Sequence, residues 1–280
     1  MDRRRQIVGN LIEKVTAELE YEKPKGFVVG LLPVCEFVEN GEIIANLAYV
    51  IASRGFTVCV ADFKVFYPNL FDWLGGVSSN KKAEGLIRLL HSDRTEVKDV
   101  AQKTDDEHVF LISPSPNDDI EDYLNFSIED IKRVILLLKE AFDVVLIDIP
   151  NNPPLEFCLG ALMHCQRGFF VTSERIESLR NIQKISEFAL KVTDNIRSFN
   201  SIILARQQEF NYDINALSNI DIMSGGEKNR AKVAAKIPCI KSAQECALEG
   251  KVYIRDGSFV NKVFAREISK LADIVLEVNN

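Results

Sequence analysis

The stretch "GFVVGLLPVCEFVENGEIIANLAYVIASRG", residues 26–55, decides the fold. Residues 26–34 form a continuous apolar run without polar alternation, as expected of a strand buried on both faces in a parallel sheet. Beyond a break, Ile43, Ile44, Leu47, Val50 and Ile51 recur at helical spacing and Gly55 supplies a stop. A helix is therefore expected over 42–54. A strand, a loop and a helix in that order can bind phosphate on the free N–H groups of the helix start. This loop, however, carries Cys35, Glu36, Phe37, Glu39 and Asn40, where a phosphate loop needs small residues and a lysine.

The alternation continues downstream. "FTVCVAD" (56–62), "HVFLIS" (108–113), "FDVVLIDIP" (142–150), "GFFVTS" (168–173), "SIILAR" (201–206) and "AAKIP" (234–238) read as strands with helical segments between them. Ser127 followed by Asp130 caps a helix running to about Ala141, with Ile131, Val134, Ile135 and Leu138 toward the core. Repeated strand–helix units make this an α/β protein with a doubly wound, mostly parallel sheet covered on both faces. Upstream, Ile7, Leu11, Ile12, Val15 and Leu19 form the apolar stripe of an N-terminal amphipathic helix, and "YEKPKG" (21–26) breaks it. The expected division is a helical arm and linker over 1–25 and an α/β domain over 26–280.

Composition narrows the function classes. At 280 residues, with 46% hydrophobic and 27% charged side chains, the chain can bury a full core. No apolar run approaches the ~18–20 residues that span a bilayer. The basic N-terminus lacks the apolar segment of a signal peptide, so the expected location is cytoplasmic. None of the six cysteines forms a C-x-x-C pair, and the group Cys158, His164 and Cys165 reads as buried thiols rather than a metal site. A net charge of −7 disfavours DNA as a partner. His91, His108 and His164 are scattered, and no catalytic triad follows from spacing. In "MSGGEK" (223–228) two glycines among polar residues read as a loop.

The order of elements resembles the deviant-Walker P-loop ATPases of the MinD and ParA group. In that group a loop K-G-G-x-G-K-[ST]-[ST] precedes a helix containing "NLA", here Asn46-Leu47-Ala48. "VADFKVFYPNLFDWLGG" resembles the group's segment after the second strand, with Asp62 on its first conserved aspartate. "FDVVLIDIP" resembles the Walker B strand, with Asp148 at the acidic position. "GFFVTSERIESLRNIQKI" and "AAKIPCIKSAQECALEGKVY" resemble its later segments. Counting back from Asn46, the resemblance puts the catalytic lysine on Asn40, the Mg²⁺-binding hydroxyl residue on Gly41 and the next hydroxyl on Glu42. The signature lysine falls on Cys35 and the glycines on Glu36, Phe37 and Glu39.

What the resemblance implies is a vestigial nucleotide site made of Cys35, Glu36, Glu39, Asn40, Gly41, Glu42, Asp62 and Asp148, with no catalytic residue and no metal. Both lysines are gone, and each glutamate close to a phosphate would cost on the order of 2–4 kcal/mol at an effective dielectric of ~20. Asn40 is a good N-cap, and Glu42 in the first turn suits the helix dipole. An internal carboxylate in the place of the phosphate, exposed acids on a remodelled loop, and a nucleotide in a changed pose remain as alternatives. The expected protein is a pseudo-ATPase scaffold or localisation factor, similar to the TadZ and CpaE proteins that position pilus or secretion machinery. It would bind no cofactor and act through protein partners as a homodimer, recruited to a pole or a membrane-associated machine with indirect membrane contact. The competing expectation is an active ATPase using ATP and Mg²⁺ in positioning or partitioning.

Overall fold

The computed structural model describes residues 26–35, 38, 40–74, 85–92, 95–115, 117–173, 176–207, 221–224, 227–230 and 232–277. The arm over 1–25 and the loop residues Glu36, Phe37 and Glu39 lie outside them. Strands β1 (Phe27–Pro33), β2 (Val58–Asp62), β3 (Gln102–Lys103), β4 (Val109–Ile112), β5 (Val144–Asp148), β6 (Arg167–Thr172) and β7 (Phe199–Gln207) precede a hairpin of β8 (Asp221–Ser224) and β9 (Glu227–Arg230). The last strand is β10 (Lys232–Pro238). The main sheet has the order β10-β7-β6-β1-β5-β2-β4-β3. Every pairing in it is parallel except the edge pair β3–β4.

Helices cover both faces. Val29 and Leu31 of β1 belong to one core, with helices α1 (Asn40–Ser53) and α10 (Lys262–Leu276). Val28 and Leu32 point into the other, against α5 (Ile128–Ala141) and α6 (Leu155–His164). Smaller helices α2 (Leu70–Trp73), α3 (Gly85–His91) and α4 (Val97–Val100) come before α5. Helices α7 (Ile176–Leu190), α8 (Lys241–Leu248) and α9 (Tyr253–Asp256) lie between α6 and α10.

Helix α1 is buried from Asn40 to Ala52 because its apolar residues ring it completely and α10 covers its outer side. Gly55 ends it at φ +86, a conformation that only glycine adopts without strain. The predicted cap of α5 is present: Asp130 N donates to Ser127 Oγ at 3.3 Å and Ser127 N donates to Asp130 Oδ2 at 2.9 Å. One expectation is corrected. Met223, Ser224, Glu227 and Lys228 of "MSGGEK" belong to strands, because Asp221–Ser224 pairs antiparallel with Glu227–Arg230, and its two glycines lie outside the described residues. Helix α10 buries Phe264, Ile268, Leu271 and Val275, so its apolar stripe faces α1 and the sheet.

Candidate functional site

The carboxyl ends of β1, β5 and β2 lie side by side, with Leu31 in register with Asp148 and Asp148 with Asp62. This is the edge where doubly wound sheets hold ligands. Asp62 and Asp148 are both fully buried, two like charges on adjacent strands. Such a pair requires compensation from inside the chain or from a ligand.

Lys64 supplies it. Its Nζ stands 2.7 Å from Asp148 Oδ2, with the lysine side chain 12% exposed. The backbone dictates this placement. Phe63 and Val65 on either side of Lys64 are buried in the core shared with α5 and α6. Asp62 gathers the loop, accepting from Lys64 N at 3.0 Å, Asn69 N at 2.9 Å and Leu70 N at 3.1 Å. The first aspartate is thus the anchor that delivers the lysine to the second. The two P-loop lysines stay replaced by Cys35 and Asn40, and a different cation enters from the loop after β2. The sequence does show the lysine two residues past the strand-ending Asp62, but nothing local says that it folds back.

Asn40 completes the arrangement. Its Nδ2 donates to Leu31 O at 2.9 Å and to Asp148 Oδ1 at 2.9 Å. Because both partners are acceptors, the orientation of the amide is fixed by the network. Asn40 is therefore the first residue of α1 and ties it to β1 and β5, rather than capping it as expected. Each Asp148 oxygen now faces a donor of the chain itself. Burial raises the Asp148 carboxyl above the usual range, opposed by Lys64 and Asn40. Burial, and then the charge of Asp148, push Asp62 up to about 7.

The next position is filled as well. A Cβ on Gly41 would sit 2.3 Å from Trp73 Cδ1 and 2.7 Å from Trp73 Nε1. The indole occupies the space a serine or threonine side chain would need. Glu42 is 4% exposed within the first turn of α1, so it is not an acid on the surface. Cys35 follows β1, its thiol a weak donor to Ser173 Oγ at 3.9 Å. Of the residues read as a site, the structure brings together Asn40, Asp62 and Asp148, with Gly41 beside Asn40 under Trp73, while Cys35 contacts Ser173 and Glu42 is buried in the first turn of α1. Glu36 and Glu39 lie outside the described residues.

The rest of the "NLA" motif is structural. Asn46 Oδ1 accepts from Ile254 N at 2.8 Å and its Nδ2 donates to Glu42 O at 2.7 Å, joining α1 to α9. Cys165 is buried, and burial pushes the Cys158 thiol up to about 12. Among the described residues no helix is long and apolar enough to cross a membrane.

No protein-family model and no curated protein matches the chain in sequence. Solved structures do match in shape. MinD of Pyrococcus horikoshii, complexed with Mg-ADP, superimposes with a TM-score of 0.70 at 21% identity, covering 89% of this chain and 95% of that one. A ParA family ATPase from Chlorobium tepidum gives 0.72 at 18% identity, covering 90% and 98%. MinD in the Aquifex aeolicus MinC:MinD complex gives 0.71 at 15%, covering 91% and 97%. The chain has the P-loop NTPase-like fold of the MinD and ParA ATPases, as the order of its motifs implied.

Proposed function

We propose that this chain is a pseudo-ATPase: it keeps the MinD/ParA fold as a scaffold for spatial localisation and does not hydrolyse ATP. The observation that carries the reading is the internal neutralisation of Asp148 by Lys64 and Asn40. A Mg²⁺ ion or a nucleotide phosphate would meet an acidic residue already paired. It would also meet Trp73 over Gly41, where a P-loop enzyme needs a hydroxyl. These residues do not fit Mg-ATP held in the manner of a P-loop, so no reaction step is derived through it.

The sites of such a scaffold are surfaces. Phe66 and Tyr67 follow Lys64, 37% and 74% exposed, and Leu155 follows the Walker B strand at 52%. All three belong to the sheet edge that carries the site, and the reading assigns them to protein contacts, with a second copy of this chain as the first occupant. The MinC:MinD complex among the structural neighbours supports a protein partner. Residues 26–280 act as one domain, preceded by the arm over 1–25, in a cytoplasmic protein recruited to a pole or a membrane-associated machine. A TadZ- or CpaE-like role in pilus or secretion assembly fits this behaviour.

The second reading, an ATP- and Mg²⁺-dependent positioning ATPase, draws on the Mg-ADP complex of the Pyrococcus neighbour and on Asp62 and Asp148 at its two acidic positions. Isothermal titration of Mg-ATP and Mg-ADP, with molar mass followed by light scattering, separates the two. The scaffold reading expects no heat at millimolar nucleotide and an unchanged mass. Micromolar binding would overturn it.

A further inference from the structure

The outer face of α5 carries an apolar residue without cover among the described residues. Leu136 is 45% exposed, although the helix buries Ile131, Val134, Ile135 and Leu138 on its other side. Around it lies a hollow of about 190 Å³ lined by Glu129, Lys132, Arg133, Leu136, Leu137 and Glu140. The chain that precedes the domain arrives beside this helix. A Cβ on Gly26 would meet Lys139 O at 2.1 Å and Lys139 Cγ at 2.5 Å, so the backbone at Gly26 runs against the last turn of α5.

We propose that residues 5–20 dock as a helix on this outer face of α5, their apolar stripe closing over Leu136. Four observations converge. The linker 21–25 extends at most ~17 Å, which tethers Leu19 near the end of α5 where Gly26 lies. Sixteen helical residues measure about 24 Å and the fourteen of α5 about 21 Å, so the two match in length. The stripe of Ile7, Leu11, Ile12, Val15 and Leu19 needs an apolar partner, and Leu136 with the hollow offers one.

Charge fixes the direction. Laid parallel to α5, the arm sets Arg3, Arg4 and Arg5 beside its acidic first turn, where Glu129, paired with Lys132 at 3.0 Å, is still 75% exposed. The same alignment sets Glu18 near Lys139. The large apolar side chains exposed beside the nucleotide-type site lie at the opposite edge of the sheet from Gly26. Docking on α5 is independent of the scaffold reading and holds whether or not nucleotide binds.

Limited trypsin digestion of the full chain tests the proposal, with cleavage after Lys14 followed by mass spectrometry. A peptide of residues 1–25 serves as the undocked reference. Docking slows cleavage on the order of tenfold relative to the peptide. Leu136→Asp, at an exposed position, and Leu11→Asp, outside the domain, each restore the peptide's rate while the domain's thermal unfolding stays in place. The protection persists on dilution. Equal rates in chain and peptide, or protection untouched by Leu136→Asp, would overturn the proposal. Protection that fades on dilution would assign the arm to a second copy and overturn it too, as would protection that appears only with anionic vesicles.

Discussion

Lys64 and Asp148 meet at 2.7 Å in a pocket built by neighbouring strands, and Asp62, one residue before the loop that carries Lys64, holds that loop by three backbone N–H groups. The lysine and the aspartate come from different segments, and each is left uncompensated without the other. Removing one partner of a buried pair costs about 3–5 kcal/mol, most of it the penalty of the charge left behind. Lys64→Ala is expected to destabilise by that amount in urea unfolding. Lys64→Ala combined with Asp148→Asn is expected to recover 1–3 kcal/mol of the summed losses, on the order of a contact pair's coupling. Additive losses would show that the ion pair does not hold the site.

Rebuilding the P-loop residue by residue should not recover it. Gly41→Thr drives a side chain into the Trp73 indole and is expected to destabilise by about 1–3 kcal/mol, the cost of overpacking. Trp73→Ala in the same chain should relieve part of the clash. Calorimetry on Asn40→Lys is expected to show no gain of ATP binding, because the new ammonium competes with Lys64 for Asp148.

The acidic pair also sets a pH dependence. Asp62 is pushed up to about 7 in the folded protein, above its ordinary 3.8. The folded state therefore keeps a proton that the unfolded chain releases. The contribution of this group is most favourable below about pH 4, falls as pH rises toward 7, and is level beyond it. Carboxyl ¹³C resonances should show one aspartate titrating near neutrality. Asp148→Asn removes the like charge, so the same resonance should move to lower pH and the fall in stability should shrink.

Asn46 makes the third prediction about the chain's own polar network. Asn46→Ala leaves Ile254 N without its buried acceptor and is expected to cost about 1–3 kcal/mol. Amide exchange should quicken first in α9, which that bond ties to α1. A variant as stable as the parent would mean that water replaces the asparagine.

The sheet was legible because buried parallel strands announce themselves as unbroken apolar runs, and β1, β5 and β6 lie where such runs occur. The cap at Ser127 and the stop at Gly55 were equally local signals. Strands β8 and β9 were not legible, being four-residue pieces, β8 with only Ile222 and Met223 apolar and β9 polar throughout, too short to show a pattern of their own. The stripe of Phe264, Ile268, Leu271 and Val275 is regular enough to mark α10, but its partner α1 lies more than two hundred residues upstream. The site follows the same division. Counting from Asn46 located Asn40 and Gly41, while the role of Lys64 and the reach of Trp73 arise only when loop and sheet close on each other.

In an enzyme that switches on nucleotide, the positive charge facing its acidic residue arrives with a diffusing ligand and departs with it. Lys64 is covalently part of the chain and cannot depart. On the scaffold reading the exposed edge bearing Phe66 and Tyr67 has no off state tied to the cell's energy supply. Its timing would then rest on how fast the protein is made, how fast it is destroyed, and how much partner is present.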